Sequence, residues 1–233
     1  MRVYFHVCIS LLIGILISSC EHKKDTSTPI TSTPKTEKET SRIPGWHGYN
    51  SDSIGEAWQY EDGVISFDKE RGSGGDIVTD QEYEDFELSL EWKISACGNS
   101  GIFWNIVESP DYGFPWLTGP EMQVLDNSCH PDAEIKTHRA GDLYDMIETS
   151  QETVKPAGSW NLAQIRSKDH QVTFSLNGME VVSFTMHDDK WDDMVTNSKF
   201  KTMPAFGKAT KGRIGLQDHS DKVWFRNISI KEI

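Results

Sequence analysis

Phe86-Glu87-Leu88-Ser89-Leu90-Glu91-Trp92-Lys93-Ile94 alternates without a break. Phe86, Leu88, Leu90, Trp92 and Ile94 fall on one face, and Glu87, Ser89, Glu91 and Lys93 on the other. That period of two marks a strand with one face in a core and one in water. Residues 101–107 follow as a mostly apolar strand entered through Asn99-Ser100-Gly101, and the two read as an antiparallel pair. Further along, 160–167, 170–176 and 180–184 read as a meander, with Asn177-Gly178 as the strongest hairpin signal. Upstream, 58–67 reads as two short strands around Glu61-Asp62-Gly63, followed by another at 76–79. Near the end lie strands at 213–219 and 223–230. In the second, Phe225 and Ile228 share a core only if a bulge intervenes near Arg226. One helix is expected within 188–200, where Trp191, Met194 and Val195 recur at helical spacing behind the capping candidates Asp188 and Asp189. Many short strands, regular turns and at most one or two short helices predict an all-β sandwich of two antiparallel sheets.

The flanks set the compartment. Residues 1–20 carry Arg2, an apolar run at 9–17 and then Ser18-Ser19-Cys20, the layout of a secretory signal too short to span a bilayer. Small residues before a cysteine resemble a bacterial lipoprotein box, with Cys20 as the lipid anchor. An outer-membrane lipoprotein facing the periplasm or the cell surface is expected. Residues 21–42 are Lys, Thr, Ser, Pro and Glu with little to bury, and read as a disordered tether. What remains, 43–233, is about 190 residues, enough for one sandwich domain. The formal charge of −13 repels nucleic acid and anionic membranes and suits a neutral ligand such as a sugar. Two cysteines remain in the mature chain, Cys97 and Cys129. Both sit in polar loop sequence of an exported protein, which predicts a bridge over two separate buried thiols.

Functional chemistry concentrates on Glu121-Met122-Gln123-Val124-Leu125-Asp126-Asn127. Glu121 and Gln123 share one strand face, and a one-residue bulge after Val124 would bring Asp126 round to join them. Two carboxylates and an amide do not make a dry core, so that face reads as the floor of a wet groove; an edge strand with solvated acids is the alternative. Before it, Asp111-Tyr112-Gly113-Phe114-Pro115-Trp116 offers aromatic faces for a sugar ring. After it, the long polar stretch 130–145, with His138-Arg139-Ala140-Gly141-Asp142-Leu143-Tyr144, reads as a site loop. Gly72-Ser73-Gly74-Gly75 lacks the lysine and helix of a phosphate loop and reads as a turn. Gln217 and His219 share a face of their strand.

Asn99-Ser100-Gly101-Ile102, the 121–127 stretch, Trp160-Asn161, Leu176-Asn177-Gly178, Leu216-Gln217-Asp218-His219 and Phe225-Arg226-Asn227-Ile228 together resemble, in order, the 3-keto-disaccharide hydrolase domain family over about 43–233. The resemblance implies a concanavalin-like jelly roll, often on a secreted lipoprotein, acting on glycosides already oxidised to a ketone at C3. The cysteine pair beside two of these motifs departs from the family pattern and favours an added disulfide bracing the site. A C3 ketone acidifies the C2 proton, and the C1 oxygen is then a leaving group β to the enolate. Elimination followed by addition of water gives net hydrolysis. The protein must supply a base, a stabiliser for the enolate oxygen and an acid for the leaving oxygen. The expected roles are Glu121 as base or metal ligand and His219 as the competing base. His138 and Arg139 would stabilise the enolate, and Asp126 or Tyr144 would act as acid. Gln123 and Gln217 would orient hydroxyls, with Asn99, Trp104 and Trp116 as further substrate contacts. No cofactor is certain. A divalent metal would stabilise the enolate, and Glu121, Asp126, His138 and His219 are available ligands, though without tight spacing. Two alternatives are a retaining sandwich-type glycosidase, whose acid-x-acid-x-x-acid spacing is copied by Glu121, Gln123 and Asp126 with Gln in the middle, and a non-catalytic carbohydrate-binding module.

Overall fold

The computed structural model describes residues 43–233. The expected signal, the Cys20 anchor and the tether lie outside the described residues. Twelve strands appear in chain order: β1 (Trp46–Gly48), β2 (Trp58–Glu61), β3 (Val64–Phe67), β4 (Ile77–Thr79), β5 (Phe86–Ile94), β6 (Asn99–Ile106), β7 (Glu121–Leu125), β8 (Asn161–Lys168), β9 (Gln171–Leu176), β10 (Met179–Thr185), β11 (Arg213–Leu216) and β12 (Val223–Glu232). They form two sheets, ordered β1-β4-β11-β6-β7 and β10-β9-β8-β5-β12-β3-β2, with every pairing antiparallel. This is the expected two-layer sandwich.

β5 sits at the centre of the larger sheet between β8 and β12, and its five alternate apolar side chains are all buried. Each such side chain contributes about 1.5–3 kcal/mol when fully removed from water. Asn177 and Gly178 both have positive φ, 53° and 84°, as the tight β9–β10 hairpin requires. Asp62 and Gly63 turn β2 into β3 in the same way, at 50° and 79°. β12 shifts register against β5 between Arg226 and Ser229, with Asn227 at φ 52°. Ile228 thereby packs on the core beside Phe225, as the sequence requires.

The expected β5–β6 pair does not form. β6 belongs to the other sheet, between β11 and β7. The corner between them carries Cys97 at φ 52° and takes the chain from one layer to the other, a crossover built of the same turn residues as a hairpin. The predicted bridge is present: Cys97 and Cys129 are disulfide-bonded with Cα atoms 4.7 Å apart. β1 has no clear signal in the sequence, and β11 ends at Leu216, so Gln217 and His219 lie just past the strand.

Among the described residues one α-helix forms, α1 (Asp189–Asn197), capped by Asp188, which accepts from Trp191 N. Trp191 is buried and stacks between Phe184 and Phe206, fixing the helix end. A 3₁₀ turn, Lys199–Thr202, follows with Ser198 as its cap. β7 would be an open edge, but residues 141–144 run alongside it. Gly141 N donates to Gln123 O, Gln123 N to Asp142 O, and Tyr144 N to Glu121 O.

Candidate active site

On the core side of the smaller sheet lie Ile102, Met122, Val124, Ile214 and Leu216; the intervening residues face out. Register sets Gly101 opposite Gln123 and Phe103 opposite Glu121, while Gln217 N, just past the end of the neighbouring β11, donates to Gly101 O. Gly101 therefore lies between the two glutamines, and the Glu121 side chain leans over it. A Cβ at Gly101 would overlap Glu121 Oε1, so a glycine is needed here for close approach.

Above this floor opens a cavity of about 390 Å³, with Asn99, Glu121, Gln123 and Gln217 below, and Tyr144, Lys199, Trp116 and His219 among its walls. Glu121 is buried, and that burial pushes its pKa up to about 8; the Lys199 charge pulls it back down, while Asp76 and Asp132 add to the rise. Burial also lowers the Lys199 pKa against the pull of Glu121, Asp145 and Asp132. Its ammonium lies 3.9 Å from the Tyr144 ring centroid. Burial, Glu121 and neighbouring carboxylates raise the Tyr144 phenol, which stays protonated. Among the described residues, Asn99 Oδ1 and Gln217 Oε1 are buried without a hydrogen-bond partner. Two unsatisfied buried acceptors facing a polar cavity are what a ligand rich in hydroxyls would satisfy.

The expected residues divide. Glu121, Gln123, Gln217, His219, Asn99, Tyr144 and Trp116 come together. His138 stands behind Tyr144, ring centroids 4.2 Å apart, with Nε2 hydrogen-bonded to Asp145 at 3.0 Å. The other oxygen of Asp145 accepts from Lys199 N, so His138 supports the wall that holds Tyr144 and Lys199 and does not line the cavity. Arg139 points away to Glu152, at 2.6 Å. Trp104 lies in the core, edge-on to Phe174 across the two sheets. Asp126 is also elsewhere, because the bulge expected after Val124 is absent: β7 pairs residue for residue with β6 through Leu125. Burial alone would raise the Asp126 pKa, but hydrogen bonds from Ser128 and from Cys97 N hold it below the usual range. It braces the disulfide corner. Of the four candidate metal ligands only Glu121 and His219 reach the cavity. Among the described residues no three His, Cys, Asp or Glu side chains gather as ligands, so the donor set expected for a metal is not assembled.

Lys199, Phe200 and Met203 were not anticipated as site residues. Lys199 follows a polar helix and resembles any solvated lysine, and only the 3₁₀ turn after α1 brings it into the cavity with Glu121. Gly101→Ala is expected to displace the Glu121 carboxylate and lower kcat/KM by about a hundredfold, the scale of an ångström of misplacement. Its melting curve should stay close to that of the parent. Full activity in the alanine variant would show that the glycine does not position Glu121.

The family model described as the 3-keto-alpha-glucoside-1,2-lyase-like domain matches residues 39–231. The chain belongs to this family. It is 37% identical over 218 residues to a 3-keto-disaccharide hydrolase of Bacteroides thetaiotaomicron, covering 80% of this chain and 74% of that relative. A solved structure described as a "putative glycosyl hydrolase" from Parabacteroides distasonis superposes with a TM-score of 0.76 at 33% identity, covering 83% of this chain and 91% of that one. A Bacillus subtilis protein of galectin-like fold, at 13% identity and a TM-score of 0.52 over 80% of this chain and 94% of its own, shares the fold alone.

Proposed function

We propose that the chain cleaves the glycosidic bond of 3-keto-glycosides, including 3-keto-disaccharides, by elimination across C1–C2 followed by addition of water. The observation that carries this reading is Glu121, a buried carboxylate with a pKa of about 8, facing Lys199 in a cavity floored by amides. A base of that strength suits removal of a proton α to a ketone. Glu121 takes the C2 proton, and the electron pair moves to the C3 oxygen, where the Lys199 ammonium stabilises the enolate. The pair then returns to form the C1=C2 bond and expels the C1 oxygen, which gains a proton to leave as an alcohol. Water adds at C1 and a proton returns to C2, giving the free 3-keto sugar. His219, at the exposed rim, is placed to give or take the proton on the departing or arriving oxygen. Asn99, Gln123 and Gln217 hold the remaining hydroxyls.

The retaining-glycosidase alternative loses its second carboxyl on this strand, since Asp126 turns away and Gln123 occupies the middle position. Turnover of a 3-keto-glucoside in deuterated water is expected to place deuterium at C2 of the released sugar, beyond the exchange of the free ketone alone. The unoxidised glucoside should be inert. Cleavage of the plain glucoside with C2 unlabelled would overturn the reading. The N-terminal layout supports export and lipid anchoring through Cys20 at the outer membrane, with the catalytic domain on a tether.

A further inference from the structure

A second cavity of about 300 Å³ adjoins the first and shares Trp116, Gln217 and His219 with it; its own walls include Asp76, Gly113 and Phe114. The two form one groove with a waist at the shared residues. Phe114 is 53% exposed, yet it is held stacked on Trp116 with centroids 5.0 Å apart and planes 11° apart. An exposed ring fixed in this way presents a flat apolar face beside polar groups. The loop that carries it is tied down: Tyr49 Oη and Asn50 Nδ2 both donate to Tyr112 O at 2.9 Å. Glu108 at its base pairs with His47 and Arg213. Asp76 lines the same cavity and accepts from Asp218 N through Oδ1; among the described residues no hydrogen bond to its Oδ2 occurs. Asp218 in turn accepts from Gly75 N. Gln217, nine-tenths buried, lines both cavities with Oε1 unpartnered.

We propose that this second cavity is the subsite for the leaving sugar, a hexose stacked on Phe114 with its hydroxyls held by Asp76 and Gln217. The inference rests on the reaction proposed above and adds where the substrate's two halves lie. The 3-keto ring sits over Glu121, the scissile oxygen crosses the waist beside His219, and the leaving ring enters the Phe114 side. Burial and the Asp218 charge lift Asp76 to about 7, so near neutral pH it both donates and accepts. A leaving group smaller than a sugar leaves this half of the groove unused.

The test compares 3-keto-glucosyl-glucose with methyl 3-keto-glucoside on the full chain and on Gly113→Trp and Phe114→Ala. An added Cβ at Gly113 meets no atom within 4 Å, so a side chain is tolerated at this position on the cavity wall, and the bulk of an indole there is expected to narrow the subsite. In both variants the ratio of kcat/KM for the disaccharide over the methyl glycoside is expected to fall by about three- to tenfold, the scale of one lost stacking contact. An unchanged ratio, with both substrates falling together or neither falling, would overturn the assignment. If the parent protein cleaves neither substrate, the reaction is wrong, and binding decides the subsite separately. Saturation-transfer NMR with plain glucose should then give a signal in the parent that Gly113→Trp abolishes. No signal in the parent, or equal signals in both proteins, would overturn the proposal.

Discussion

Glu121→Gln is expected to lower kcat/KM by about a hundredfold or more while raising the melting temperature in alkaline buffer. The first effect follows from the loss of the base. The second follows from where the carboxylate sits. Folding lifts its pKa from the ordinary 4.5 to about 8, chiefly through burial, so the native state holds the proton more tightly than the unfolded chain does. Its contribution to stability is complete below about pH 4.5 and is lost as pH rises through about 8. An amide of the same shape carries no such slope. Parent and variant should therefore melt together below about pH 4.5 and diverge progressively as pH rises from there to about 8, with the variant the more stable and the gap constant beyond. The same value sets the rate profile: below about pH 8 the parent's kcat/KM should fall tenfold per unit as Glu121 takes up its proton. A variant that melts earlier than the parent at pH 9, or a rate flat from pH 5 to 8, would remove Glu121 as a buried base.

Replacing Cys97 and Cys129 together by serine is expected to cost about 3–4 kcal/mol, from the entropy of the 32-residue separation that the bridge closes. Chemical denaturation of oxidised parent and double variant measures this as a lower midpoint, with a steeper slope because the unfolded chain without the bridge exposes more surface. The closed segment contains β6 and β7, the two strands whose register puts Glu121 over Gly101. Activity should consequently fall at a lower denaturant concentration in the variant. Equal midpoints would mean that Asp126, which holds both sides of the corner through Cys97 N and Ser128, suffices alone.

Much of the architecture was legible because it depends on short-range rules. The alternation of 86–94, the glycine turns and the β12 bulge each follow from one strand's need to keep a single face in the core. The pairing of Glu121 with Gln123 on the cavity floor was legible for the same reason. The β5–β6 crossover was not, since a chain leaving one sheet for another uses the same Gly-Asn-Ser residues as one that doubles back. Asp126 failed through the bulge it needed, which only pairing with β6 could decide. His138 and Arg139 belong to a loop whose polar residues serve its own bracing: Asp142 accepts from Arg139 N and Thr149 N, and Asp145 ties His138 to the Lys199 backbone. Lys199 and Asp76 come from distant segments with ordinary local sequence, and tertiary packing alone gives them their surroundings.

The outer face of the smaller sheet divides its labour between two kinds of backbone. Glu121, Gln123 and Gly101 stand on paired strands, where slipping by one residue would turn every side chain over and is strongly resisted. The Phe114 platform, Gly75 and Asp218 stand on connections between strands, where insertions and substitutions are tolerated. Lengthening or shortening residues 108–118 would reshape what the groove accepts while the carboxylate stays in place. Exchanging this loop is thus expected to change which leaving group the groove accepts without moving Glu121.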